Sequence, residues 1–169
     1  MDKAIQAIVN IIKAEVENQI HDQWPLCRVQ NVYYGDPKRI WESDLPCIIV
    51  QPLDSNNTGR GSRYTQNDIN VWIIYVENAK QFYNDSWNAE NTVFAVETCV
   101  KAVEKTEKNW ISKRSIKWIL EWNPTLKYQN QKNVELVNWL STTYDFWNER
   151  WYPTIECTTT ANITTIWDR

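Results

Sequence analysis

Histidine is nearly missing from this sequence, with His21 its single example. Glycine is almost as scarce: three residues, two of them Gly59 and Gly61. The four cysteines, Cys27, Cys47, Cys99 and Cys157, never come close enough to form a CxxC pair. No window approaches the roughly 18 apolar residues that a membrane span needs. Each shortage removes a class of function. A zinc site has no second ligand at the right spacing. A phosphate loop is not formed by Gly59-Arg60-Gly61, which lacks the lysine and the spacing. Histidine-based catalysis rests on His21 with Asp22 beside it, and sequence neighbours do not face each other on a helix. No nucleophile elbow accompanies it. His21 reads instead as a residue at a helix C-terminus, where it suits the dipole. The carboxylate pairs Glu42/Asp44 and Glu15/Glu17 read as solvated, since no glycine-rich metal loop adjoins them. The expectation is a protein that is not an enzyme and uses no cofactor or metal. Its cysteines read as small buried hydrophobes of a reducing compartment. The opening stretch MDKAIQAIVNIIKAEVEN mixes acid and base every few residues and does not read as a signal peptide. The glycosylation patterns at Asn56, Asn84 and Asn162 carry no weight without a secretory route.

What is present suits a single domain spanning 1–169. Hydrophobic residues are 43% and charged residues 23% of the chain, so a core can form and disorder is not expected. The net charge of -3 gives no general attraction to nucleic acid. The charges are nevertheless divided. Residues 101–117 hold Lys101, Lys105, Lys108, Lys113, Arg114 and Lys117 against Glu104 and Glu107. Residues 134–169 hold Glu135, Asp145, Glu149, Glu156 and Asp168 against Arg150 and Arg169. Opposed patches attract a neighbouring copy; the same charges equally suit two solvated faces.

Periodicity divides the chain into helix, strands, helix, strands. Ile5, Ile8, Val9, Ile12, Val16 and Ile20 recur at helical steps and predict a helix over 2–20. Trp24-Pro25 stops it, because the residue before proline avoids helical angles. Strands are expected across 27–76: a first from Cys27 to Tyr34, a turn at Gly35-Asp36-Pro37, a buried strand over Leu45–Pro52, and a long strand from Tyr64. In the last, Ile69, Val71, Ile73 and Tyr75 occupy one face and Trp72, Ile74 and Val76 the other, which predicts a central strand with both faces covered. Between them, Asp54–Arg63 is polar and holds two of the glycines, so it is expected as a flexible loop. A second helix is expected over 86–108, capped by Asp85 or Ser86, with Val93, Val96, Val100 and Val103 as its buried stripe. Strands return over 116–167. Ile116, Trp118, Leu120 and Trp122 alternate with Lys117 and Glu121, and two further strands follow at Val134–Trp147 and Thr154–Trp167. The fold class is α+β: a mainly antiparallel sheet flanked by an N-terminal and a central helix.

The excess in this sequence is tryptophan, eleven of them. Trp118 and Trp122 are expected in the core. Trp41, Trp110, Trp151 and Trp167 lie beside turns or near the C-terminus and are candidates for interface contacts, because an indole buries a large area and keeps one donor. A carbohydrate-binding face is the competing aromatic explanation.

The element order then becomes suggestive: an amphipathic helix, Val32-Tyr33-Tyr34-Gly35-Asp36-Pro37, Asp44-Leu45-Pro46-Cys47-Ile48-Ile49-Val50, a polar segment, and Thr65–Val76, followed by a helix and late strands. This resembles the tail terminator (tail completion) proteins of long-tailed bacteriophages. The resemblance implies a virion protein made in the host cytoplasm. It implies a homohexameric ring capping the tail tube, in contact with the tail-tube protein and the connector or stopper. DNA would pass through the lumen without specific binding, with the sheet lining the channel and the helices outside. The candidate interface or lumen residues are Asp54, Asn57, Arg60, Arg63, Trp41, Trp151 and Trp167. The alternatives are another neck component (stopper or connector adaptor), a carbohydrate-binding module, or a hydrolase using His21 or paired carboxylates.

Overall fold

The apolar stripe near the N-terminus forms a helix because one face alone can leave water. In the computed structural model α1 spans Asp2–Asn18, and Ile5, Ile8 and Ile12 are wholly buried. Each such side chain contributes about 1.5–3 kcal/mol by leaving water. The structure describes residues 2–18, 25–60, 64–83, 89–104, 115–123, 134–149 and 153–168; at 2, 18, 56–60, 64–66, 89–90, 134–137, 146–149 and 166–168 only the backbone is described. His21, Asp85 and Ser86 lie outside these residues.

Among the described residues five strands form one sheet: β1 (Asn31–Tyr34), β2 (Cys47–Arg60), β3 (Tyr64–Asn78), β4 (Val134–Glu149) and β5 (Pro153–Asp168), in the order β1-β2-β3-β5-β4. Only the β1–β2 pair is parallel. The other three pairs are antiparallel, so the α+β expectation holds. Two further helices, α2 (Ala89–Val103) and α3 (Ile116–Glu121), join α1 on one face of the sheet. The β3 alternation reads as expected. Ile69, Val71, Ile73 and Tyr75 face the helices, while Ile74 and Val76 enter a second, smaller core with Ile40, Leu45, Cys47 and Ile49. The segment after β1 folds over one end of the other face to close that core. Gly35 makes the turn possible at φ 74°, a left-handed angle, and its N–H donates to the Val50 carbonyl at 2.8 Å.

Four expectations are corrected. The polar stretch from Asp54 is not a loop: Asp54–Arg60 continues β2 paired with β3, from Asp54 opposite Asn70 to Arg60 opposite Thr65, with one irregularity between Asn57 and Gly59. The pairing partner, itself held by β5, supplies the backbone order that the side chains do not advertise. Ile116–Glu121 is a helix, not a strand. The buried residues are Ile116, Ile119 and Leu120, and the Ser115 hydroxyl caps the first turn by accepting from the Trp118 N–H at 3.3 Å. Trp122 is consequently 69% exposed instead of core, and Trp118 is half-buried. On α2 the valine stripe is buried only at Val103. Val93 is exposed and Val96 and Val100 are half-buried, while Ala95, Cys99, Ala102 and Val103 join the core against the sheet. Small side chains there let the helix approach closely. Finally, β1 begins at Asn31, and Leu26–Arg28 is a 3-10 turn.

Candidate interaction surface

Beyond the second core, the face of the sheet opposite the helices carries polar side chains in rows across the strands. Strand register fixes those rows. Asp54, Asn70, Asn162 and Asn138 are successive partners from β2 to β4. Asn70 Nδ2 donates to Asp54 Oδ1 at 2.6 Å, and Asn162 Nδ2 donates to Asn70 Oδ1 at 2.8 Å. In the neighbouring row the Thr164 hydroxyl donates to Asp68 Oδ1 at 2.7 Å. On the other side Gln51, Trp72, Thr160 and Ser141 align, and Ser141 Oγ donates to Thr160 Oγ1 at 3.3 Å. Each amide or hydroxyl therefore orients the next, which stiffens a hydrophilic surface. Among the described side chains of β2, β3, β4 and β5 on this face there is no lysine or arginine, whereas Asp54, Asp68, Asp145 and Glu156 are present.

The helix-side face contains two ionic clusters. Glu77, wholly buried, accepts from the Tyr75 hydroxyl at 2.7 Å and from Arg28 Nη2 at 3.2 Å. Arg28 also donates to Gln81. Burial raises the Glu77 carboxyl above its ordinary 4.5, and the Tyr75 and Arg28 contacts oppose that rise. Lys117 Nζ donates to both Glu104 oxygens at 2.7 and 2.8 Å and to Thr142 Oγ1 at 3.0 Å. Both clusters tie the covering elements to the sheet. Cys47, Cys99 and Cys157 are buried and Cys27 is half-buried, and none of them is in a disulfide. Burial, and then the charge of Glu77, push Cys99 up to about 12, which leaves the thiol inert. Among the described residues no group of three or more His, Cys, Asp or Glu side chains is placed to hold a metal ion. No helix among them is long and apolar enough to cross a membrane.

The residues singled out from the sequence divide between the two ends of the sheet. Asp54 is exposed on the polar face. The backbones of Asn57 and Arg60 lie further along β2, and Arg60 and Trp167 flank Thr65 from opposite sides in the register. Trp41 lies at the other end, in the segment that covers the second core. It is 52% exposed, with the Arg39 guanidinium 3.7 Å from its ring centroid, a cation–π contact. Its backbone N–H donates to Asp44 Oδ2 at 3.0 Å. Glu42 Oε1 accepts from Asn78 Nδ2 at 3.1 Å, so this carboxylate is partnered rather than simply solvated. Arg63 and Trp151 lie outside the described residues. Sequence reasoning did not single out Asn70, Asp68, Asn162, Thr164 or Thr160. Their signal was the period-two spacing of Thr158, Thr160, Asn162 and Thr164, which marks one face of a strand. Neither a known protein family nor a curated protein matches this chain in sequence.

Proposed function

We propose that this chain is a structural assembly subunit and not an enzyme, acting as a tail terminator: a ring that caps a tail tube and joins it to the head-tail connector. The observation that carries the reading is the two-sided sheet. One face is sealed by three helices, and on the other the strands present ordered amides, hydroxyls and carboxylates, with no lysine or arginine among their described side chains. Such a surface suits the wall of a conduit. Polyanion binding draws on many cations that release counterions, and a wall lacking them lets DNA pass without adhering. The element order, the single domain and the many tryptophans support the same reading. A stopper or connector adaptor is the neighbouring alternative and would share these features.

Negative-stain microscopy of purified tail tubes mixed with the protein tests the proposal. A ring of density at one tube end is the expected result. Uncapped tubes at saturating protein would overturn it. Tryptophan fluorescence that responds to sugars while tubes stay bare would favour the carbohydrate-binding alternative.

A further inference from the structure

The two edges of the sheet match each other in an unforced way. Beta-strand β1 covers β2 only as far as Val50, so from Gln51 onward β2 is an edge among the described residues. At the opposite side β4 is the other edge among the described residues. The ladder is interrupted twice on β2 and three times on β4, and one bulge on each strand places an exposed leucine outside it. On β2 the register shifts between Pro52 and Asp54, and Leu53 is 46% exposed. On β4 it shifts between Trp139 and Ser141, and Leu140 is 53% exposed. Bulges re-aim side chains and interrupt edge pairing. The two bulges adjoin one row, Pro52–Val71–Ala161–Trp139. Leu53 and Leu140 therefore stand at opposite edges and at the same height along the strands, within about one residue or roughly 3.3 Å. Each has an aromatic on its own side: Tyr34, 45% exposed, in the strand beside β2, and Trp122, whose helix is linked to β4 by the 3.1 Å bond from Trp139 Nε1 to Glu121.

We infer that Leu53 of one copy packs against the Leu140 edge of the next, making a head-to-tail contact between copies of this chain. The inference rests on the ring reading above and specifies its surfaces. Unlike patches that meet at nearly equal height join copies with little rise along the strand direction. A heterologous contact with little rise closes into a ring when its rotation divides a full turn, whereas one that does not close propagates as a filament. The interrupted ladders make the joint a side-chain contact instead of a continuous sheet, which keeps it specific and limits uncontrolled strand addition.

Two charge variants of the full chain test this, Leu53→Glu and Leu140→Glu. Both sites are exposed, so circular dichroism should match the parent. By light scattering and native mass spectrometry the parent forms a closed oligomer, and each variant alone remains a monomer. An equimolar mixture of the two yields a species of twice the monomer mass and nothing larger. In that pair the intact Leu140 of one copy meets the intact Leu53 of the other, and the remaining edges are blocked. Assembly of either variant like the parent, or a mixture that stays monomeric, overturns the inference. If the parent forms rings and the variants do too, the contact is wrong and the ring reading stands. A parent that is monomeric at every concentration also overturns the contact, and the tube-capping experiment then decides the functional reading separately.

Discussion

Removing one hydroxyl from the buried cluster under the 3-10 turn should cost stability in a pH-dependent way. The change is Tyr75→Phe, which keeps the fully buried ring and deletes the donor 2.7 Å from Glu77 Oε2. Glu77 then retains Arg28 Nη2 at 3.2 Å and the Asn78 N–H at 3.4 Å. A buried charged acceptor that loses a partner costs about 2 kcal/mol. At about 2–4 °C per kcal/mol for a domain of this size, the melting temperature should fall by roughly 4–8 °C. The pH dependence follows from the carboxyl. Its folded pKa is raised above 4.5, chiefly by burial. The folded chain thus keeps a proton that the unfolded chain has released, so stability is full below the unfolded value and falls as pH rises through the folded one. Deleting the hydroxyl removes a contact that lowers this pKa, which widens the window. The Tyr75→Phe penalty is therefore complete near neutral pH. It shrinks in acid toward that of a lost neutral hydrogen bond, about 1 kcal/mol. Urea unfolding followed by tryptophan fluorescence, at about pH 7 and about pH 4, measures both values. Equal penalties at the two pH values, or a neutral-pH penalty under about 0.5 kcal/mol, would refute the reasoning. Glu77→Gln serves as the control and should abolish the acid-side change.

Two other outcomes follow from the same structure. Because burial lifts the Cys99 thiol to about 12, it should resist thiol reagents in the folded protein at mildly alkaline pH. Stability should be full below the ordinary value of 9.0 and decline from there toward about 12, as the unfolded chain ionises first. Rapid native labelling of Cys99, mapped by mass spectrometry, would contradict its burial. Ser115→Ala should cost about 1 kcal/mol by removing the cap of α3, and Ser115→Asp should recover most of it. If the segment were a strand, urea unfolding would show neither effect.

The helix-versus-strand error at Ile116 shows where local pattern stops being informative. Ile116, Trp118, Leu120 and Trp122 do alternate, but Ile119 is also apolar, and Ile116, Ile119 and Leu120 fit a helical face equally well. Six residues cannot distinguish the two periods, and Ser115 in the cap position was the overlooked sign. The polar stretch after Pro52 failed for the opposite reason. Glycine, asparagine and serine are poor strand formers, yet β3 lay ready to pair with them. The candidate surface was legible only in part: Asp54 was singled out, while its partners Asn70 and Asn162 come from distant points in the chain.

By itself the sequence determined α1, the two-faced β3, the late strands, the turn at Gly35 and the α+β class. Each is written in a local period or a single backbone requirement, long enough to outweigh its alternatives. Tertiary structure alone decided the strand order, the parallel β1, the extension of β2 and the side of the sheet on which all three helices lie. It also decided the alignment of the polar rows and the nearly equal height of Leu53 and Leu140. Those depend on register between strands separated by up to about a hundred residues, such as β3 and β5. Register is settled by which whole faces can be buried together, a quantity no short window contains.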